Sequence, residues 1–141
     1  MVVANAYQVC FLEAKTKEDA VRSMVSELDM ERRGVFEAVM QREKVISTGI
    51  GMGIAIPHAK ISGLDEFSVV IGIVKHEGIE WDAIDHLLVK LIILICGPDN
   101  KHREYLHLLS RLTKTIKLES VRQELFLAKD QEEIVKIFEA C

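Results

Sequence analysis

The chain has 141 residues, 49% of them hydrophobic and 28% charged, which suits one globular core and is too short for two ordinary domains. This composition, with only two prolines, excludes a disordered or collagen-like chain. The formal net charge is −4 and the 18 lysines and arginines are scattered rather than clustered, so we expect no nucleic-acid partner. We expect a single domain over residues 1–141.

The cysteines and the N-terminal residues bear on the cellular compartment. Cys10, Cys96 and Cys141 are odd in number and include no CxxC pair, which argues against a disulfide framework and against a thiolate metal site. The first residues lack the basic segment of a signal peptide, and no apolar stretch reaches the ~18 residues of a membrane span. The sequence therefore predicts a cytoplasmic protein without membrane insertion.

Two amphipathic helices are predicted in the first third of the chain. Thr16 suits an N-cap, acidic residues follow it, and apolar residues at helical spacing extend the first helix over about 17–29. A second helix carries the chain to Arg42 and Glu43, beyond which β-branched residues such as Val45 disfavour helix. Arg42 is thus expected at a helix C-terminus or just past it.

The middle of the chain predicts a buried sheet. Residues 47–61, STGIGMGIAIPHAKI, carry glycines at three alternate positions and then a β-like run that a proline interrupts. Two nearly continuous β-branched runs follow at 67–74 and 88–96, as expected of strands covered on both faces. These two runs are predicted to form the centre of the sheet.

Three further helices are predicted after the second of these strands. Apolar residues recur at helical spacing over 106–116, and helical patterns also cover 118–128 and 131–140, with Asp130 as the N-cap of the last. Helices before and after a central group of strands predict an α/β fold. The expected architecture is a single-domain sandwich with a central mixed β-sheet flanked by helices on both faces.

The glycine segment does not match a nucleotide site. Its spacing fits neither the dinucleotide fingerprint nor the P-loop. The run after it is β-like and ends in proline, so no helix begins there to receive a phosphate. We expect no nucleotide cofactor.

His58, at the end of this segment, is the strongest candidate for chemistry. Pro57 has no N–H and weakens strand pairing, so the side chain after it is expected near the end or edge of the sheet. A neutral histidine ring is nucleophilic near pH 7, which suits a phosphoryl carrier. The alternative from residue type alone is an ordinary loop histidine or a buried histidine whose hydrogen bonds are satisfied.

The segments around His58 resemble a known family. Arg42 and Glu43, followed by STGIGMGIAIPH at 47–58, resemble the signature of enzyme IIA domains of the fructose/mannitol type from the bacterial phosphotransferase system. Nitrogen-regulatory IIA proteins share that signature. The resemblance extends to GIEWDAID at 78–85 and to LHLLSRL at 106–112, and it covers almost the whole chain.

The resemblance implies a covalent role for His58. It would accept a phosphoryl group from the histidine phosphocarrier protein and pass it to a IIB domain, with no cofactor. The family places an arginine beside its active histidine, and Arg42 matches that position; a guanidinium can hold two phosphoryl oxygens at once. Without the resemblance, Arg42 is interpreted as a solvated arginine that favours the helix dipole.

Weaker candidates for phosphate binding are Thr48, with the N–H groups of the glycine segment, and Tyr105. Thr48 either donates a hydrogen bond to the phosphoryl group or serves turn formation. Tyr105 stands where the family commonly has a second histidine, and its hydroxyl can bind an anion but carries no positive charge. His102 and His107 are alternative sources of that charge, His107 being expected on the exposed helix face.

Two functions remain open at this point. The first is a phosphocarrier for sugar uptake of fructose or mannitol type. The second is a regulatory IIA protein whose phosphorylation state controls its binding to target proteins. A degenerate member that no longer takes phosphate is a third alternative, because Tyr105 replaces the second histidine. No histidine pair has helical zinc spacing, so no metal site is expected, and Asp82 and Asp85 are expected to be structural.

Overall fold

The computed structural model describes residues 6–28 and 33–139. The elements follow in the order β1 (Ala6–Leu12), α1 (Lys17–Val25), α2 (Val35–Val45), β2 (Gly49–Gly51), β3 (Ile54–Ala55), β4 (His58–Ile61), β5 (Ser68–Val74), β6 (Leu91–Pro98), α3 (His102–Ile116), α4 (Glu119–Leu127) and α5 (Gln131–Glu139). The helix ends predicted at 29 and 140, and Cys141, lie outside the described residues.

The strands form one mixed sheet in the order β1-β5-β6-β3-β2, with β4 also paired to β6. The central strands β5 and β6 are antiparallel, whereas β1 is parallel to β5 and both β3 and β4 are parallel to β6. Every residue of β6 is buried, as expected of a strand covered on both faces. The prediction of a central mixed sheet is confirmed.

Helices cover both faces of this sheet and give it two hydrophobic cores. On one face, α1 and α2 contribute buried residues such as Met24 and Val39. On the other, α3, α4 and α5 contribute Leu108, Leu125 and Phe138. The predicted α/β sandwich is therefore confirmed. In the described part of the chain, no helix has the length and apolar character that crossing a bilayer demands.

Both predicted helix N-caps are observed. The Thr16 hydroxyl accepts a hydrogen bond from the backbone N–H of Asp19 at 3.1 Å. The Asp130 carboxylate accepts one from the N–H of Glu133 at 2.9 Å. Each satisfies a donor that the first turn of a helix leaves without a partner inside the helix.

β1 and β6 are among the strands that differ from the sequence prediction. β1 was not predicted as a strand; it pairs with β5 along its whole length and contains the polar Gln8. The strand predicted over 88–96 begins later, because Val89 pairs with Ile79 through two hydrogen bonds of 2.9 Å instead. β6 therefore starts at Leu91 and runs on to Pro98.

Candidate functional site

An interruption of the sheet brings His58 to the site. β3 ends at Ala55 and β4 begins at His58, and both pair in parallel with β6. Pro57 lies in the gap, where it has no N–H to donate, while its carbonyl accepts the N–H of Ile95 at 3.0 Å. The predicted weakening of strand pairing just before His58 is confirmed, and the imidazole is half-buried.

The hydrogen bonding of the His58 ring selects one tautomer. Its Nδ1 lies 3.1 Å from the backbone carbonyl oxygen of Ile56. Because a carbonyl oxygen only accepts, Nδ1 carries the proton of the neutral ring and Nε2 keeps its lone pair. Burial lowers the pKa of His58 below its ordinary value of 6.5; the hydrogen bond to Ile56 opposes this shift and the charge of Arg42 adds to it. Nε2 is therefore available as a nucleophile at neutral pH.

Arg42 lies in the last turn of α2, where the sequence analysis expected it. One guanidinium nitrogen, Nη1, donates to the carbonyl of Ile46 at 3.0 Å, which anchors the group at the end of the helix. Burial is the largest influence on the pKa of both His58 and Tyr105, and the positive charge of Arg42 lowers each of them. Arg42 thus acts electrostatically on both rings.

Tyr105 lies on the buried face of α3 and approaches His58 directly. The centroids of the two rings are 5.4 Å apart. Burial raises the pKa of Tyr105 to about 12, so the phenol stays protonated at neutral pH. Tyr105 therefore places a neutral phenol ring beside the imidazole and cannot act as a cation.

His58, Arg42 and Tyr105 line one open pocket of about 580 Å³ between α2, β4 and α3. The residues that the resemblance assigned to catalysis, and the residue at the second-histidine position, are thus brought together. Gln41, Lys60 and His102 complete the polar lining. Lys60 was not predicted, and its only sequence signal is its position two residues after His58 on the same strand.

Thr48 lines a second pocket of about 270 Å³ together with His58 and Arg42. Its hydroxyl donates to the carboxylate of Glu43, and its backbone N–H lies 3.3 Å from that same carboxylate. The hydroxyl also accepts from the indole N–H of Trp81 at 3.4 Å. Since both donors of Thr48 are used inside the protein in this arrangement, a direct hydrogen bond to a phosphoryl group stays a prediction.

Glu43, which belongs to the motif but was not predicted to have a role, organises the surroundings of the site. It is a buried carboxylate that accepts from the ammonium of Lys17 at 3.1 Å. The same carboxylate binds Thr48, so it connects α1 and α2 to the start of the glycine segment. Its place beside Arg42 in the motif is the sequence signal that could have identified it.

Two other candidates lie away from the pockets. His107 is exposed on α3, as predicted, and lines neither pocket. The Asp85 carboxylate accepts the N–H groups of Met52 and Leu87 at 2.9 and 3.1 Å, so it shapes the glycine turn as a structural residue. Within residues 6–28 and 33–139, no cluster of three or more His, Cys, Asp or Glu side chains suits a metal ion.

Comparison with known proteins decides the family. A family described as "Phosphoenolpyruvate-dependent sugar phosphotransferase system, EIIA 2" matches residues 5–141. The chain belongs to this family. The resemblance drawn from the motif around His58 is therefore confirmed, and the fold is that of the EIIA 2 domain.

The relatives of this EIIA 2 chain include fructose-specific EIIA components and nitrogen regulatory proteins. The fructose-specific EIIABC component of Bacillus subtilis is 33% identical over 89% of the chain, which spans only 20% of that relative. The nitrogen regulatory protein of Klebsiella oxytoca is 35% identical over 81% of the chain and 74% of the relative. The crystal structure of nitrogen regulatory protein IIA-Ntr from Neisseria meningitidis matches with a TM-score of 0.85 and 29% identity, covering 92% of this chain and 91% of that one.

The lowered pKa of His58 gives a testable prediction for the EIIA 2 chain. Because burial and the charge of Arg42 disfavour the imidazolium, the ring stays neutral to a lower pH than a free histidine does. In an NMR titration of the ring carbons, the midpoint of His58 is expected below 6.5. A midpoint at or above that value contradicts the electrostatic description of the site.

Proposed function

We propose that this EIIA 2 chain is a phosphohistidine carrier. His58 accepts a phosphoryl group from the histidine phosphocarrier protein and passes it to a IIB domain during sugar uptake of fructose or mannitol type. The observation that supports this proposal is the convergence of His58, Arg42 and Tyr105 on one pocket in a chain of this family. A nucleophilic ring nitrogen and an anchored guanidinium at one opening meet the needs of phosphoryl transfer.

The proposed transfer is an exchange between two nitrogen atoms. The lone pair of His58 Nε2 attacks the phosphorus of the donor's phosphohistidine in line with the bond that breaks. The Nε2–P bond forms, the donor's P–N bond breaks, and its electron pair returns to the donor ring. The Nδ1 proton stays on His58, where the Ile56 carbonyl stabilises the positive charge that the ring gains. The two proteins supply all the reacting atoms, so the proposal includes no cofactor.

Arg42 and Tyr105 are assigned different parts in this exchange. Negative charge spreads over the three phosphoryl oxygens in the transition state, and the guanidinium of Arg42 offers paired donors to two of them. Tyr105, whose ring centroid lies 5.4 Å from that of His58, offers one neutral hydroxyl donor. Both groups are fixed by helices that pack on the sheet, so little reorganisation is needed when the donor docks.

Regulation is the second candidate function. The similarity to nitrogen regulatory proteins, including the structural match to IIA-Ntr from Neisseria meningitidis, favours it. In this alternative the same chemistry at His58 places a dianion on the surface around the pocket. That charge changes which target proteins can dock there.

A relay experiment separates the two candidates. The chain is phosphorylated with phosphoenolpyruvate, enzyme I and the histidine phosphocarrier protein, and purified fructose-type and mannitol-type IIB domains are then added. Intact masses of both proteins are followed with time. The carrier proposal expects the phosphoryl group to move to one IIB domain, whereas a chain that stays phosphorylated beside both IIB domains favours regulation. A folded chain that gains no phosphoryl group from the phosphocarrier contradicts both.

A further inference from the structure

The pocket shared by His58, Arg42 and Tyr105 also contains Lys60, a cation to which the proposed carrier chemistry gives no role. A phosphoryl group on a side chain carries roughly −1.5 to −2 charge at pH 7. Arg42 supplies one positive charge, and Tyr105 supplies none because a phenol is never a cation. Among the described residues that line this pocket, Lys60 is the other lysine or arginine. Lys60 is therefore available to supply a second side-chain cation beside Arg42.

The placement of Lys60 fits such a role. His58 and Lys60 are alternate residues of β4, so they point to the same side of the strand with Cα atoms roughly 6.5 Å apart. The Lys60 ammonium lies 5.2 Å from the ring centroid of Tyr105, the ring that itself approaches His58. Burial is the main reason for the low pKa of His58, and the charge of Lys60 contributes in the same direction, so its field already reaches the ring.

Lys60 can exchange its hydrogen-bond partner, His102, for a phosphoryl group. Its ammonium lies 2.5 Å from Nδ1 of His102, which must therefore be the unprotonated, accepting nitrogen of that ring. A hydrogen bond to a phosphoryl dianion is stronger than one to a neutral imidazole, and the lysine stem is flexible and exposed. Exchanging the imidazole for a phosphoryl group therefore strengthens the hydrogen bond of the ammonium, and the flexible stem allows the ammonium to move.

We propose that Lys60 is a third phosphoryl-binding residue of the site. His102 holds its ammonium beside Tyr105 while His58 is free, and the ammonium moves onto the phosphoryl oxygens when His58 is phosphorylated. His102 is a positioning residue in this account. The inference rests on the proposed function, and it gives the site a second permanent cation to replace the charge that Tyr105 does not carry.

The test uses a small phosphoryl donor, phosphoramidate, so that partner docking plays no part. In this reaction the P–N bond of phosphoramidate breaks, ammonia leaves and the Nε2–P bond of His58 forms. The rate of mass increase is compared for wild type, Lys60→Met, Lys60→Arg and the control Lys129→Met. Lys129 is an exposed residue that precedes α5 and lines neither pocket. Its replacement therefore removes the same charge as Lys60→Met without changing either pocket.

Lys60→Met is expected to slow uptake about tenfold, in keeping with one lost charge-assisted hydrogen bond. Lys60→Arg is expected to stay within about threefold of wild type because it keeps the cation. The same order is expected for binding of inorganic phosphate, followed by NMR of the His58 ring. Equal rates and equal phosphate binding in wild type and Lys60→Met overturn the inference.

The remaining outcomes separate this inference from the proposed function. If wild type reacts with phosphoramidate but not with the phosphocarrier protein, the carrier proposal fails while the Lys60 comparison still decides the inference. If wild type neither reacts with phosphoramidate nor binds phosphate, the pocket is no phosphoryl site and the inference fails. If Lys129→Met slows uptake as much as Lys60→Met, the effect is one of net charge and the inference fails as well.

Discussion

Replacing His58 by glutamine is expected to abolish phosphoryl uptake from the histidine phosphocarrier protein. An amide can still donate to the carbonyl of Ile56, the partner of Nδ1, so the local structure is expected to persist. It has no nucleophilic lone pair to replace Nε2, and the covalent intermediate cannot form. Intact mass spectrometry of the chain after incubation with phosphoenolpyruvate, enzyme I and the phosphocarrier measures the loss.

A matched histidine variant makes this result specific. His107→Gln changes an exposed histidine of α3 that lines neither pocket, and it is expected to take up phosphate as wild type does. Thermal unfolding of both variants reports whether the fold is kept. Persistent uptake by a folded His58→Gln chain places the phosphoryl group elsewhere and contradicts the assignment.

Replacing Arg42 by glutamine is expected to slow uptake roughly 100- to 1000-fold, the usual effect of removing one preorganised donor to a developing anion. The loss is expected in the transfer rate at saturating phosphocarrier, since the guanidinium acts on the transition state. The pKa of His58 is expected to rise in the same variant, because a positive charge that lowers it has been removed. Rapid-quench assays measure the phosphoryl transfer rate, and an NMR titration measures the pKa of His58.

Two variants control for structure and for charge. Arg42 also donates to the carbonyl of Ile46, so Arg42→Lys, which can keep that bond, is expected to recover only part of the rate because it lacks the paired donors. Arg103→Gln removes an exposed arginine that lines neither pocket and is expected to leave the rate unchanged. Equal rates for Arg42→Gln and Arg103→Gln would exclude Arg42 from the transition state.

The parts of the fold that local patterns determine were predicted well. The runs that became β5 and β6 are rich in β-branched residues, and the N-caps at Thr16 and Asp130 use contacts within a few residues. β1 was missed because its place depends on pairing with β5 across more than fifty residues, and Gln8 breaks its apolar pattern. The start of β6 was misplaced for a related reason, since the bridge from Val89 to Ile79 is not visible in local periodicity.

The site was predictable to the extent that one motif contains it. His58 and Arg42 were predicted from a contiguous signature, and the structure brings them to the same pockets. The role of Glu43 follows from its burial against Lys17 on another helix, which residue type alone does not indicate. Lys60 was missed because its partner His102 lies 42 positions away, so only the packing of α3 beside β4 brings the two together.

The atom that carries the phosphoryl group can be identified by NMR. The chain, labelled with ¹⁵N in its histidine rings, is phosphorylated by phosphoenolpyruvate, enzyme I and the phosphocarrier, and coupling between ³¹P and ¹⁵N is recorded. We expect phosphorus on Nε2 of His58, with Nδ1 still protonated and donating to the carbonyl of Ile56. Phosphorus on Nδ1, on another residue, or on no residue of a folded chain would contradict it.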